Sequence, residues 1–179
     1  LTSTYTASTF SAAPKLMTSE QYAIYRNEAA ERLLLQKPFT QEQIDKYAAG
    51  NDPNFPSTDW MDLTFADYAP EWRTSLSVSG GTDKVGYFVS GDYLNQGGMY
   101  ESGSLGFEQY QFRSNIDFQV HDRLKLGLDL NGRYGERTEP GVDDGFIYKH
   151  IYTNEPTEVA VYDNGLTAWG GENGANPLI

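Results

Sequence analysis

Apolar and polar side chains alternate along four stretches of the chain. Within each stretch the charged residues share one parity, and the other parity is almost wholly apolar. The stretches are Trp72–Gly80, Val85–Asn95, Tyr110–Val120 and Leu124–Arg133. Because successive side chains of a β-strand point to opposite faces, this pattern predicts a sheet with one wet face and one face out of water. Together with a first strand suggested by Thr, Ser and Tyr, the expected strands cover about residues 1–10, 72–80, 85–95, 110–120 and 124–137.

Two helices are predicted between the first and second strands. Thr18-Ser19-Glu20-Gln21 and Thr40-Gln41-Glu42-Gln43 are capping boxes, which are typical of helix N-termini. The first box predicts a helix over about Ser19–Gln36, with apolar residues at helical spacing. The second predicts a shorter helix that Gly50 ends in a left-handed cap.

The connections between the predicted strands alternate in length. Gly80–Lys84 and His121–Arg123 are predicted tight turns, whereas residues 11–71, 96–109 and 138–179 are predicted long loops. In an antiparallel meander, alternate connections lie at the same end of the sheet. We therefore expect the three long loops to share one end and the tight turns to share the other.

Aromatic residues mark the ends of the predicted strands. Trp72, Tyr93, Tyr110 and Tyr134 stand on the apolar parity where their strands meet the long-loop end. Tyr87 and Phe118 occupy the same parity nearer the tight turns. Rings at both margins of an apolar band are typical of outer-membrane barrels, in which they lie at the two lipid–water interfaces.

Composition narrows the classes of protein that fit. The 179 residues carry a net charge of −12, which disfavours nucleic acid as a partner, and the absence of cysteine excludes disulfides and Cys-based metal sites. No apolar run is long enough to predict a membrane-spanning helix, but a spanning β-strand needs only about 9–11 residues. The chain opens on Leu1-Thr2-Ser3, without an initiator methionine or signal segment, which suggests a mature or excised piece.

Two kinds of cover fit the apolar face of the sheet. A soluble sheet covered by the two helices, or by a second sheet, produces the same alternation as a sheet facing lipid. The shared end of the long loops, the rings at strand ends and the row Leu124, Leu126, Leu128, Leu130 favour lipid. Five strands are too few to close a membrane barrel, since the smallest have about eight. The lipid interpretation therefore requires this chain to be a fragment.

Several ordered motifs between residues 19 and 137 resemble those of one family. Gly50-Asn51-Asp52-Pro53 followed by Pro56-Ser57-Thr58-Asp59-Trp60 resembles the G-x-DP…P-x-TDW stretch of the SusC/RagA family of TonB-linked outer-membrane transporters. Further segments are similar to strand pairs and the first-loop helix of that family. They are Leu76–Lys84, Tyr87–Gly91, Phe112–Asp117, Leu124–Leu128 and Tyr22–Ala29.

The resemblance implies an all-β fold, a fragment of a transmembrane antiparallel β-barrel with a two-helix extracellular loop insertion. Family barrels have about twenty-two strands around a plug. The implied function is that of an outer-membrane nutrient importer, energised through TonB and paired with a SusD-like surface lipoprotein, for oligosaccharides or peptides. The expected partners are that lipoprotein, the substrate, outer-membrane lipid and TonB, the last through an N-terminal region that is missing here together with the plug and the remaining barrel.

The sequence predicts no enzyme activity, no cofactor and no metal site. It has no nucleophile elbow, P-loop or zinc-protease motif, and His121 and His150 are far apart. Asp143 and Asp144, like the turn Asp163-Asn164-Gly165, lack the spacing of an EF-hand and suit turns instead.

Polar residues offer two candidate places for substrate contact. The first is the charged parity of the sheet, which lines a solute path, pairs across strands or holds the plug; it carries Arg73, Asp92, Arg113, Asp117, Asp129 and Arg133. The second is the third long loop, where rings and charged groups combine as they do in sugar sites. The residues predicted to bind ligand there are Arg137, Asp143, Asp144, Tyr148 and Trp169.

Two further functions remain open from the residues alone. A soluble β-rich carbohydrate- or ligand-binding module is the alternative to the importer. A secreted carbohydrate-active enzyme would need a pair of acids at a separation that the sequence does not define.

Overall fold

The structure is a computed structural model, and it describes residues 1–162, 164–168 and 176–178. The chain forms two compact units. The sheet unit comprises Leu1–Phe10 and Asp67–Glu139, and the loop unit comprises Ser11–Ala66 and Pro140–Ile179.

The sheet unit is a five-stranded antiparallel meander. Its strands are β1 (Thr2–Ser8), β2 (Ala69–Gly81), β3 (Val85–Gly97), β4 (Gly106–His121) and β5 (Leu124–Thr138), paired in that order. The two tight turns, between β2 and β3 and between β4 and β5, therefore lie at the same end of the sheet, as the alternating lengths of the connections predict.

The register keeps the two parities on separate faces across the strands, up to a register shift between Gln119 and His121 at the end of β4. Tyr110 pairs with Tyr93 on one side and Tyr134 on the other, and Ile116 pairs with Leu128, so the apolar parities coincide. A slip of one residue would have turned every side chain of a strand to the other face. The sheet thus has one apolar face and one polar face.

The connection between β3 and β4 is shorter than expected. It runs from residue 98 to residue 105 instead of 96–109, because β3 continues to Gly97 and β4 begins at Gly106. The amide of Gly98 donates to the carbonyl of Leu105 at 2.7 Å and so prolongs the ladder. The alternation of apolar and polar residues stops before the backbone pairing does.

The two predicted helices are present in the loop unit. Helix α1 (Ser19–Arg32) is capped by Thr18 and ends before the expected Gln36, because Leu34 takes a left-handed conformation (φ 55°). Helix α2 (Gln41–Ala49) is capped by Thr40, and Gly50 ends it with φ 62°, as predicted.

Two helices lie in segments that the sequence predicts as loops. Helix α3 (Trp60–Thr64) is capped by the side chain of Asp59, and helix α4 (Asp144–Thr153) by that of Asp143. The first long loop therefore carries three helices instead of two. None of the helices in the described part of the chain combines the length and the apolarity needed to cross a membrane.

Candidate functional site

The apolar face of the sheet is accessible. Leu124, Leu126, Leu128 and Leu130 on β5 are 49%, 53%, 47% and 49% exposed. A water-soluble sheet buries such a row against a second layer. The exposed row is the surface that a hydrocarbon environment would cover.

Aromatic side chains border this face at its long-connection end. The register aligns Tyr5 with Trp72, and Tyr93 with Tyr110 and Tyr134. The ring centroids of Tyr93 and Tyr110 are 5.0 Å apart. Tyr and Trp have an apolar body and a polar tip, which suits the boundary between lipid and water.

On the polar face, hydrogen bonds join side chains of neighbouring strands. Ser75 Oγ donates to Asp92 Oδ1 at 2.6 Å, between β2 and β3. Asn115 Nδ2 donates to Asp129 Oδ1, between β4 and β5, and Arg113 Nε donates to Asn115 Oδ1 at 3.0 Å. The bonds to Asp92 and Asp129 are cross-strand contacts, the structural alternative to a solute path, whereas the bond of Arg113 lies within β4.

In the loop unit, the motif Pro56–Trp60 binds the third long loop. Trp60 is 1% exposed, and its Nε1 donates to the carbonyl of Glu155 at 3.1 Å. The amide of Thr58 donates to the carbonyl of Pro156 at 2.8 Å, and its hydroxyl donates to the carbonyl of Glu158. We call this set of contacts the loop brace. It gives the motif a structural role, which is to join segments about 100 residues apart.

A cleft of about 740 Å³ lies beside the loop brace. One wall is formed by residues between Pro53 and Leu63 and the other by Val159–Tyr162. The Asp59 carboxylate there accepts from the amide of Met61 at 3.0 Å. A wall of carboxylates and apolar side chains can accept hydroxyl or amide groups while contacting an apolar surface. The sequence did not reveal this cleft, because its walls are distant in the chain.

The described residues among those predicted to bind ligand belong to two different units. Asp143 caps α4, where its Oδ1 accepts from the amide of Phe146 at 3.1 Å, and Asp144 and Tyr148 lie in the first half of the helix. Tyr148 is 39% exposed. Arg137 belongs to the sheet unit, and its Nε lies 2.8 Å from Glu139 Oε1. Trp169, like Asp163, lies outside the described residues.

Two titratable side chains in the loop unit have shifted pKa values, and in each case neighbouring groups or burial cause the shift. The pKa of Asp52 is held below its usual value chiefly because its carboxylate accepts from the amide of Asn54, and also from the Asn54 side chain. Burial raises the pKa of the Tyr47 hydroxyl, and the charge of Glu155 adds to that effect. Within the described residues, no group of three His, Asp or Glu side chains is arranged to hold a metal ion.

Comparisons with known proteins point to one family, although no protein-family model matches the chain. TonB-dependent receptor P26 of Formosa agariphila is 34% identical over 172 residues, which are 92% of this chain and 16% of that protein. TonB-dependent receptor P3 of the same organism is 35% identical over 86 residues, 48% of this chain and 8% of that protein.

Solved structures share the fold. The structure of the RagAB peptide transporter superposes with a TM-score of 0.65 at 22% identity, covering 93% of this chain and 21% of that one. The RagAB peptide importer in its closed-closed state gives a TM-score of 0.64 at 21% identity, with the same coverage.

These similarities confirm the predicted resemblance and the predicted fold class. The chain spans 16% of the length of receptor P26 and 21% of the transporter chain, which explains why its sheet is open. A five-stranded sheet with one apolar face is then part of a barrel wall. The chain is a homologue of a segment of the TonB-dependent receptors, and it has the fold of part of an outer-membrane β-barrel.

Proposed function

We propose that the protein containing this chain is an outer-membrane importer that takes up oligosaccharides or peptides with energy delivered through TonB. The observation that carries the proposal is the 34% identity to a TonB-dependent receptor along 92% of the chain. The fold shared with a peptide transporter supports import as the activity.

The two faces of the sheet are consistent with this function. The exposed leucine row of β5 suits contact with lipid, and the hydrogen-bonded polar face suits the interior of the barrel. Polar side chains that are tied to each other across strands stiffen the wall and leave fewer groups to trap a passing solute.

We propose a SusD-like surface lipoprotein as the partner of the importer. The support for it is the family resemblance and the similarity to RagAB. The long connections, all at one end of the sheet, are the segments available for such a partner.

We also propose that the third long loop contributes to substrate binding. Tyr148 offers a partly exposed ring beside Phe65, with ring centroids 5.5 Å apart, and Asp144 adds a carboxylate in the first turn of α4. Asp143 caps the same helix and so fixes its start. Aromatic faces and carboxylates together bind sugars or the side chains of peptides.

Uptake by cells that produce the full-length protein tests the importer. Labelled oligosaccharides and peptides are expected to enter wild-type cells and to stay outside when TonB is deleted. If uptake is the same without TonB, or if no member of the panel enters, the proposed function is wrong.

Substitutions in the loop unit test the binding site on the purified full-length protein. Tyr148→Ala and Trp169→Ala are expected to weaken substrate binding by about tenfold, which is typical for loss of an aromatic contact. Tyr25→Ala is the matched control, because Tyr25 is 57% exposed on α1. Unchanged affinity in both test variants, with the fold intact, would contradict a role of the third loop.

A further inference from the structure

A second cleft, of about 460 Å³, opens at the long-connection end of the sheet. It is formed by the end of β3, the start of β4 and Arg137 on β5. All its lining residues belong to the sheet unit. We call it the rim cleft.

Three side chains of the rim cleft stand in one row across the strands. Gln96 pairs with Phe107, and Phe107 pairs with Arg137. Cross-strand partners point to the same face, and this face is the one that carries Asp129 and Arg113. The rim cleft therefore lies on the polar side of the wall, where solute passes.

Apolar side chains form the floor of the rim cleft. A Cβ on Gly98 would lie 2.5 Å from Leu105 Cβ, and a Cβ on Gly135 would lie 3.3 Å from Phe107 Cε2. Because these two glycines have no side chain, Leu105 and Phe107 can lie directly against the backbone. An apolar floor on the face that carries the charged parity of the sheet is a surface that water solvates poorly.

The guanidinium of Arg137, at the edge of this floor, is available to a ligand. Arg137 contacts Glu139 at 2.8 Å, but the two side chains are 66% and 60% exposed. Exposed ion pairs are weak, because water and salt screen them. A ligand can contact Arg137 with a carboxylate and cover the apolar floor with the atoms next to that carboxylate. Because it makes both contacts, it can displace Glu139 from Arg137.

We propose that the rim cleft binds a carboxylate carried next to an apolar surface. The guanidinium of Arg137 takes the carboxylate through paired N–H donors, and Leu105 and Phe107 take the apolar part. The proposal rests on the import function and specifies the substrate further: it carries an acidic group. Two sources share this chemistry, the C-terminal end of a peptide and an acidic sugar with its C–H face.

Calorimetry on the purified full-length protein distinguishes the two sources. One pair of ligands is a peptide ending in leucine as the free acid and as the amide; the other is an oligouronate and the neutral oligosaccharide of the same linkage. The acid of at least one pair is expected to bind about tenfold more tightly than its neutral counterpart. Which pair shows the difference identifies the source of the carboxylate.

Two substitutions with opposite expected effects test the assignment of residues. Arg137→Gln is expected to remove the preference for the acid, and Glu139→Gln is expected to increase the affinity for it, because the competing carboxylate is gone. Lys125→Gln is the matched control, since Lys125 shares the parity of Arg137 on β5 but lies at the tight-turn end. All three positions are exposed, so the fold is not at stake.

Equal binding of acid and neutral ligands by the wild type would overturn the proposal, as would an unchanged preference in Arg137→Gln. The proposal would also be overturned if Lys125→Gln removed the preference for the acid as completely as Arg137→Gln does. Non-specific electrostatic attraction would then explain the result. If wild-type cells import neutral ligands, the importer stands even when the rim cleft fails. If they import neither kind, both proposals are wrong.

Discussion

The loop brace yields a prediction whose size follows from the structure. Trp60 is 1% exposed, and its indole N–H is bonded to the carbonyl of Glu155 at 3.1 Å. The substitution Trp60→Phe keeps an aromatic ring in the core of the loop unit but removes the donor. It also leaves space where the second ring of the indole was.

The expected cost combines two terms. Leaving a buried acceptor without this partner costs about 1–3 kcal/mol. The smaller ring adds about 1 kcal/mol for lost packing. The sum of about 2–4 kcal/mol corresponds to an opening equilibrium that is roughly 30- to 1,000-fold more favourable.

Amide hydrogen exchange in the full-length protein measures this opening. The amide of Thr58, bonded to Pro156, and that of Ala168, bonded to Ala160, report on the third loop. Trp72→Phe is the matched control: the Trp72 ring is 56% exposed on the apolar face, and its Nε1 donates to Ser3 Oγ at 3.0 Å. Only Trp60→Phe is expected to accelerate exchange at the two loop amides.

Two results would refute this reasoning. One is exchange at Thr58 that stays close to the wild-type rate in Trp60→Phe, which would mean that the indole bond does not hold the loops together. The other is equal acceleration in Trp72→Phe, which would mean that any loss of an indole has the same effect.

Three further predictions concern the wall and the loops. Leu128→Arg is expected to destabilise the barrel by about 2–4 kcal/mol in lipid, whereas Asn131→Arg on the polar face is expected to be tolerated. Chemical unfolding in liposomes measures both free energies, and equal losses of stability would contradict the assignment of faces. The lowered pKa of Asp52 stabilises its turn above the pKa of the unfolded chain, and that contribution is lost as pH falls through the folded value. Asn54→Ala is expected to raise that pKa, measured by carbon-13 NMR titration, and an unchanged titration would count against the side-chain bond. Thr40→Ala removes the cap of α2 and is expected to lower local stability by about 1 kcal/mol, measured as faster hydrogen exchange at the amide of Gln43. An unchanged exchange rate would show that the cap does not stabilise the helix.

Alternation predicted the sheet because a strand with two different environments must separate its side chains by parity. The same signal missed the start of β4, where Phe107, Glu108 and Gln109 already pair with β5. Those residues extend beyond the apolar band, so nothing requires them to alternate. Backbone pairing there is maintained by the neighbouring strands, which a local pattern does not show.

Helix α4 was missed although the sequence contains its signals. Asp143 is an N-cap residue, and Ile147 and Ile151 are four residues apart and buried on one side of the helix. The run of Gly and acidic residues before Phe146 resembles a loop more strongly than a helix start. Helix α1 shows the opposite error: three leucines favour continuation, but Leu34 turns left-handed and the amide of Leu35 bonds back to Ala30.

The candidate sites were only partly predictable, because their residues come together through the fold. The resemblance drew attention to Trp60, but the partner of its indole N–H is the carbonyl of Glu155, and no local signal marks a backbone carbonyl as a partner. Arg137 was grouped with the third loop, whereas it belongs to the row of Phe107 and Gln96 in the sheet. That row becomes visible only when the register is known.

The central claim is that one parity of the sheet faces lipid and the other faces the barrel interior. Spin labels placed singly at positions 124–133 of the full-length protein in lipid bilayers test it most directly. The account predicts that collisions with oxygen are frequent at Leu124, Leu126, Leu128 and Leu130, and that collisions with a water-soluble nickel chelate are frequent at the positions between them. Leucine positions that are shielded from both reagents, as in a soluble core, would contradict it.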